Sequence, residues 1–140
     1  MKNKIIYTGG TFDLPHMGHV NFLRQCALLG DVTVALNTDE FITKYKGNPP
    51  IMSYKERETV LKEYKSVKHV VPNIGGADSK ITILKVKPDI IAIGTDWLGK
   101  DYYKQMQFTQ EWLDDNKIVL VYLPYTLKIS STEIKRRMQK

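Results

Sequence analysis

The fold of this chain is decided by the stretch Ile5-Ile6-Tyr7-Thr8-Gly9-Gly10-Thr11-Phe12-Asp13-Leu14-Pro15-His16-Met17-Gly18-His19. A β-branched and aromatic run that ends in two glycines, followed by a proline and an amphipathic segment, predicts a strand, a tight loop and a helix. The glycines let the backbone approach a ligand closely, and a helix that begins near Gly18 presents unpaired N–H groups to an anion. The sequence therefore predicts a phosphate-binding loop at the end of the first strand.

Two of the three histidines in the chain, His16 and His19, lie in this stretch. They are three residues apart, about one helical turn, so both imidazoles can face the same point. The loop is neither a Walker loop, since no Gly-Lys-Ser/Thr follows, nor a Gly-x-Gly-x-x-Gly dinucleotide loop. Incidental loop and helix-cap histidines are the alternative interpretation.

The composition is that of one globular domain over residues 1–140, with 42% hydrophobic and 26% charged residues. No apolar run approaches the roughly 18 residues of a membrane span, and the N-terminus lacks a signal-peptide pattern. The one cysteine, Cys26, has no partner for an internal disulfide. We therefore expect a cytoplasmic protein without membrane insertion.

The formal net charge of +6 permits two interpretations. Nucleic-acid binding requires lysines and arginines gathered on one face, whereas here most are scattered over predicted helix surfaces. A basic enzyme for a polyphosphate substrate needs only a local excess of charge around its cleft. We favour a small anionic substrate and expect no nucleic-acid partner.

Hydrophobic patterning predicts five strands, at residues 4–8, 32–36, 69–72, 89–93 and 119–123. Helices are predicted at about 18–29, 53–65, 79–86 and 102–116 and after 130, and a mobile loop is predicted over 37–50. Strands that alternate with helices favour right-handed parallel crossovers. The expected architecture is a Rossmann-like three-layer α/β/α fold with a five-stranded parallel sheet.

Four separated motifs then resemble one family. Gly10-Thr11-Phe12-Asp13 with His16-Met17-Gly18-His19 resembles the Gly-Thr-Phe-Asp-x-x-His-x-Gly-His signature of the cytidylyltransferase branch of the HxGH nucleotidyltransferases, most closely the glycerol-3-phosphate cytidylyltransferases. The other motifs are the lysines around 44–46, Gly94-Thr95-Asp96-Trp97-Leu98-Gly99-Lys100, and Tyr125-Thr126-Leu127-Lys128-Ile129-Ser130-Ser131-Thr132. The first, second, fourth and fifth strands are each followed by one of these motifs, so a parallel sheet brings them to one edge.

The resemblance implies transfer of CMP from CTP to a small phosphorylated alcohol, glycerol 3-phosphate in particular, giving CDP-glycerol and pyrophosphate. It implies Mg²⁺ bound with the triphosphate, no metal site made by the protein, and a homodimer. The implied catalytic residues are His16, His19, Lys44 and Lys46. The implied nucleotide- and phosphate-binding residues are Gly9, Gly10, Thr11, Phe12, Asp13, Gly18, Asp96, Trp97, Ile129, Ser130, Ser131 and Thr132, and the implied acceptor-binding residues are Arg57, Tyr125 and Lys128.

Three positions depart from the family pattern. Thr95 replaces the first aspartate of Gly-Asp-Asp-Trp, Tyr125 replaces an arginine, and Lys128 replaces a glycine. A phenol cannot clamp a phosphate as an arginine fork does, which affects the substrate more than the reaction class. The alternatives are a cytidylyl- or adenylyltransferase for another acceptor (phosphocholine, phosphoethanolamine or a sugar phosphate) and a non-catalytic nucleotide-binding regulatory domain.

Overall fold

The computed structural model describes residues 2–139. Its strands are β1 (Ile5–Gly10), β2 (Asp31–Leu36), β3 (Val67–Pro72), β4 (Ile90–Gly94) and β5 (Val119–Leu123). Its helices are α1 (Met17–Leu29), α2 (Asp39–Lys46), α3 (Tyr54–Lys62), α4 (Lys80–Val86), α5 (Tyr102–Met106), α6 (Gln110–Asp115) and α7 (Ser131–Met138), with a 3₁₀ turn at Thr95–Trp97.

The strands form one parallel sheet in the order β3-β2-β1-β4-β5. This confirms the predicted Rossmann-like fold. The strand order reverses between β1, which is the central strand, and β4, which is its neighbour in the sheet. The carboxyl ends of strands at such a reversal point leave a crevice for ligands. Of the four motifs, two follow β1 and β4 directly.

Each face of the sheet has its own hydrophobic core, because successive strand side chains point to opposite faces. Ile6 packs with Leu23 of α1 and Leu61 of α3, whereas its neighbour Tyr7 packs with Ile83 of α4 on the other face. All of these side chains are at most 1% exposed. The sheet is therefore the middle of three layers, as predicted.

The predicted mobile loop over residues 37–50 is wrong for Asp39–Lys46, which form the whole of helix α2. Thr38 caps the start of this helix by accepting from the Phe41 amide, and Gly47 ends it in the left-handed conformation with φ of 82°. Good caps at both ends explain why a segment with weak hydrophobic periodicity is still helical. Of the predicted loop, residues 37–38 and 47–50 are irregular.

The single predicted helix at 102–116 is also wrong, because the structure has two helices there. Gln107, with φ of 59°, ends α5, and Thr109 begins α6 by accepting from the Trp112 amide. Phe108 lies between them and is buried. Among residues 2–139, no helix has the length and apolar character that crossing a membrane requires.

Candidate active site

A cleft of about 240 Å³ opens at the carboxyl ends of β1, β4 and β5. It is lined by Thr8, Gly9, Gly10, Thr11, Phe12, His16, Gly18, His19, Phe22, Ile93, Gly94, Asp96, Trp97, Tyr125, Thr126, Ser130 and Ser131. Three of the four sequence motifs, at residues 10–19, 94–100 and 125–132, therefore meet in one place although they are far apart in the chain. The parallel topology accounts for the meeting, because it gathers these strand ends at one edge.

His16 and His19 form a reciprocal cap at the start of α1. The Nδ1 atom of His16 accepts from the Gly18 amide over 3.1 Å, and Nδ1 of His19 accepts from the His16 amide over 3.2 Å. The rings are stacked, with centroids 3.9 Å apart. A Cβ atom at Gly18 would lie 2.9 Å from Cε1 of His16, so only glycine allows this stacking. The cap explains why the motif needs these residues at this spacing.

The cap also fixes the protonation of the two rings. A neutral imidazole whose Nδ1 accepts a hydrogen bond carries its proton on Nε2. Burial lowers the pKa of His16, and the pKa of His19 falls to about 3, through burial first and then the charge of His16, partly offset by Asp13. Both rings are thus neutral at pH 7, and each keeps an Nε2–H donor for an anion.

Asp13 does not place its carboxylate in the cleft, contrary to its predicted role in phosphate binding. The side chain is buried and accepts from the amides of Ile51 and Met52 over 2.8 and 2.9 Å. Its carbonyl oxygen accepts from the Ser131 hydroxyl. Asp13 instead ties the loop after β1 to the segment before α3.

Arg57 is also placed differently from the expectation that it binds the acceptor. Its side chain is fully buried, and it donates to the carbonyl oxygens of Thr11, Asn37 and Met52 and to the carboxylate of Asp39. These bonds occupy four of its five N–H donors. A fully buried guanidinium bound in this way cannot meet an acceptor phosphate.

Lys44 and Lys46 do not face the same point, because residues two apart on a helix lie on different faces. Lys46 lines a second cavity, of about 260 Å³, which shares Gly9, Gly10 and Thr11 with the cleft. Lys44 lines a more open region beside it. Of the two lysines, Lys46 is the one brought next to the loop after β1.

Asp96 and Trp97 line the cleft from the 3₁₀ turn after β4. The Lys100 ammonium lies over the Trp97 ring, 5.0 Å from its centroid. Asp96 is the only charged side chain that lines the cleft in the described part of the chain. Apart from Asp96, the cleft walls therefore offer neutral side-chain donors and backbone amides, and no lysine between residues 2 and 139 is among the lining residues.

The second helix start in the cleft is that of α7. Ser130 caps it by accepting from the Glu133 amide over 3.0 Å, and both Ser130 and Ser131 line the cleft. Ile129 is buried and would lie 3.3 Å from a Cβ at Gly18, so it packs α7 against α1. Thr132 is exposed and lies outside the lining.

The two acceptor candidates near β5 are also separated. Tyr125 lines the cleft, and its hydroxyl donates to the Ile129 carbonyl over 3.3 Å. Lys128 is exposed, lies outside the lining and has φ of 66°. The lysine thus stands in the left-handed conformation that favours glycine, the residue of the family pattern.

Several cleft residues were not predicted from the sequence, among them Phe22, Thr126 and Ile93. A signal existed for Phe22, which is three residues after His19 on the same helix face. Thr126 is held by Asn21, whose side-chain amide donates to the threonine hydroxyl over 3.2 Å. That contact joins residues 105 positions apart, so no local pattern indicates it.

The donors in the cleft fit a metal ion carried by a nucleotide. Between residues 2 and 139, no three His, Cys, Asp or Glu side chains lie close enough to hold a metal ion together. Asp96 and the hydroxyls of Ser130 and Ser131 are oxygen donors of the kind that Mg²⁺ accepts beside phosphate and water ligands.

Comparisons with known proteins identify chains that are similar to this one. The chain is 35% identical to the glycerol-3-phosphate cytidylyltransferase of Bacillus subtilis over 137 residues, which cover 96% of this chain and 97% of that one. It is 39% identical over 103 residues to the bifunctional protein HldE of Helicobacter pylori, covering 71% of this chain and 22% of HldE. It is 41% identical over 92 residues to the FAD synthase of Pyrococcus abyssi, covering 65% of this chain and 62% of that enzyme.

A solved structure supports the fold. The lipopolysaccharide core biosynthesis protein of Thermoplasma volcanium superposes with a TM-score of 0.70 at 26% identity, covering 89% of this chain and 97% of that one. The family model described as cytidylyltransferase-like matches residues 7–137. That range contains all four motifs and every residue that lines the cleft. This chain belongs to the cytidylyltransferase-like family.

Proposed function

We propose that the protein transfers CMP from CTP to glycerol 3-phosphate, giving CDP-glycerol and pyrophosphate. The observation that carries the proposal is the pair of neutral, stacked imidazoles of His16 and His19, which line the cleft beside the loop after β1. The match over nearly the full length of a glycerol-3-phosphate cytidylyltransferase supports the choice of substrates.

In the proposed reaction a phosphate oxygen of the acceptor attacks the α-phosphorus of CTP. The new bond joins that oxygen to phosphorus, the bond between phosphorus and the α,β-bridging oxygen breaks, and pyrophosphate leaves with the electron pair. The Nε2–H groups of His16 and His19 donate to phosphate oxygens as charge builds up in the transition state. No protein nucleophile is required, because positioning and charge stabilisation serve this kind of transfer.

The two cavities suggest how the substrates are arranged. The nucleotide occupies the cleft, with its phosphates at the start of α1 and the hydroxyls of Ser130 and Ser131. The acceptor approaches from the second cavity, where Lys46 faces Gly9–Thr11. Mg²⁺ carried by the triphosphate would supply the positive charge that the cleft walls lack.

A second candidate is the same chemistry with a different nucleotide or acceptor. The departures at Thr95 and Tyr125 favour it, since both residues contact the nucleotide cleft or its lining. The similarity to HldE and to FAD synthase over shorter ranges supports a family site that serves several substrates.

Pyrophosphate release with Mg²⁺ tests the proposal. CTP, ATP, UTP and GTP are each combined with glycerol 3-phosphate, phosphocholine, phosphoethanolamine and a sugar phosphate. Release that is fastest with CTP and glycerol 3-phosphate supports the first candidate, and release with another pair supports the second. Nucleotide binding without release from any pair would instead indicate a regulatory domain.

The homodimer implied by the family resemblance is part of the proposal. Light scattering coupled to size-exclusion chromatography tests it directly. A mass of twice the 16.1 kDa chain supports a dimer, and the mass of a single chain contradicts it.

A further inference from the structure

The loop after β1 contains two residues in a conformation that costs free energy. Phe12 and Leu14 both have φ of 50°, in the left-handed region that non-glycine residues rarely adopt. Such residues persist only where the surroundings impose the conformation, and they concentrate at functional sites. Something in the structure must therefore hold this loop.

Arg57 holds the peptide group that the Phe12 conformation requires. The φ angle of Phe12 sets the orientation of the peptide that joins Thr11 to Phe12, and the carbonyl oxygen of this peptide accepts from Nη1 of Arg57 over 2.8 Å. The same Nη1 donates to the Asn37 carbonyl over 2.9 Å, and Nη2 contacts Asp39 over 2.6 Å. The guanidinium is thus held in place by several hydrogen bonds, and it fixes the orientation of the Thr11 carbonyl.

Fixing the carbonyl also aims the amide on the other side of the same peptide. In a trans peptide the C=O and N–H bonds point in opposite directions, and no peptide bond described here is cis. The Phe12 N–H therefore points away from the buried guanidinium, and both residues of this peptide, Thr11 and Phe12, line the cleft. Within residues 2–139, no protein group accepts a hydrogen bond from this amide.

The side chain of Phe12 depends on the same peptide. Its ring packs against His19, with centroids 5.0 Å apart, and it lies over Gly10, where a Cβ atom would come within 2.8 Å of Cε2 of the ring. A rotated peptide would move this ring away from the catalytic imidazole. One buried arginine thus governs both a backbone donor and the packing of His19.

We propose that Arg57 is a positioning residue that turns the Thr11–Phe12 peptide so that the Phe12 amide donates to a phosphate oxygen in the cleft. This inference rests on the nucleotidyl transfer proposed above. An amide turned in advance toward the developing charge stabilises the transition state without reorganisation during the reaction. Arg57 itself never touches the substrate.

The test combines an amide spectrum with kinetics. In ¹⁵N-labelled protein, inorganic pyrophosphate is added while the Phe12 amide resonance is followed, in the wild type and in Arg57→Lys and Arg57→Gln. We expect the resonance to shift in the wild type and to respond at least threefold less in the variants, and kcat to fall at least tenfold in both. Arg24→Ala, which removes an exposed arginine of α1, is the control and should match the wild type.

Three results would overturn the inference. They are a wild-type Phe12 amide that does not respond to pyrophosphate, an equal response in a folded Arg57 variant, and loss of folding in both variants by circular dichroism, which would assign Arg57 to folding alone. The pyrophosphate titration requires no turnover. If no substrate pair reacts, the proposed function fails, while the titration still decides the role of Arg57.

Discussion

The backbone amide of Tyr125 donates a hydrogen bond to the hydroxyl of Thr95 over 3.1 Å. These are two of the three positions at which the chain departs from the family pattern, and they lie 30 residues apart on the ends of β4 and β5. The departures are therefore one local change at the cleft, in which an acid and a base of the family pattern are both replaced by neutral side chains. Relative to the family pattern, the net charge of these two positions is unchanged, because one acidic and one basic residue are both replaced. The arginine that could clamp a phosphate is absent.

Restoring the arginine should strengthen triphosphate binding. We expect Tyr125→Arg to lower the KM for the nucleotide by about three- to fivefold, since an ion pair at a partly exposed site contributes up to about 1 kcal/mol. Tyr103→Arg adds the same charge at an exposed tyrosine outside the cleft and serves as the control. Equal KM values in the two variants would show that Tyr125 does not face the phosphates.

The capping role of the histidine pair can be separated from its proposed catalytic role. Asparagine is a good N-cap and glutamine suits the third helical position, so His16→Asn and His19→Gln preserve the cap. Each replaces the imidazole ring by an amide that has no N–H at the position of the histidine Nε2–H. We expect each variant to lower kcat by about 10²–10³-fold with little change in the urea midpoint. His16→Ala should also lose about 1 kcal/mol of stability because the cap is lost. Near-normal turnover in His16→Asn or His19→Gln would remove that histidine from the mechanism.

The low pKa of His19 makes the protein sensitive to acid. In the unfolded chain this residue takes up a proton near pH 6.5, whereas in the folded protein it does so only near pH 3. Between these values the unfolded state binds more protons, so stability falls as the pH falls, by at most about 1.4 kcal/mol per pH unit. Urea unfolding of the wild type and of His19→Gln at pH 7.0, 6.0 and 5.0 measures the effect. Parallel losses in the two proteins would contradict it.

Lys46 should matter more than Lys44, because it shares a cavity with Gly9–Thr11. We expect Lys46→Ala to reduce kcat/KM for the acceptor at least tenfold, as expected for loss of a charge-assisted contact to phosphate. Lys44→Ala should also reduce kcat/KM for the acceptor, but the logarithm of this reduction should be less than half of that for Lys46→Ala. The reverse order would place the acceptor in the more open region beside Lys44.

Substitution of Lys128 tests whether the charge of this strained lysine contributes to activity. Lys128→Gly removes the cost of φ at 66° and should raise the free energy of unfolding by about 1 kcal/mol. Lys117 has φ of 59° and lies outside the cleft lining, so Lys117→Gly is the matched control and should gain a similar amount. If kcat/KM falls in Lys128→Gly but not in Lys117→Gly, the charge of Lys128 contributes to the site. If the kinetics of both variants are unchanged, Lys128 is a surface residue without a role in the reaction. Thermal unfolding and pyrophosphate release provide the two readouts.

The sequence by itself determined the five strands, their parallel arrangement and the gathering of the motifs at one edge of the sheet. These features depend on local signals, such as the apolar run at residues 5–8 and the capping box that begins at Ser53, which the structure reproduces. The predicted loop was wrong where the local helix signals were weak, as in α2. The predicted single helix was wrong where the helical pattern of the sequence continues without a break, as across Gln107.

Only the tertiary structure decided where the site residues lie and which groups they contact. Arg57 is three residues into α3, where it could have faced solvent, but the packing of α3 against the sheet buries it among the carbonyls of Thr11, Asn37 and Met52. The neutral state of His19 and the Thr95–Tyr125 contact likewise depend on burial and on residues distant in the chain. Sequence periodicity reports which face of an element is apolar, whereas burial and hydrogen-bond partners are fixed only when the elements pack together.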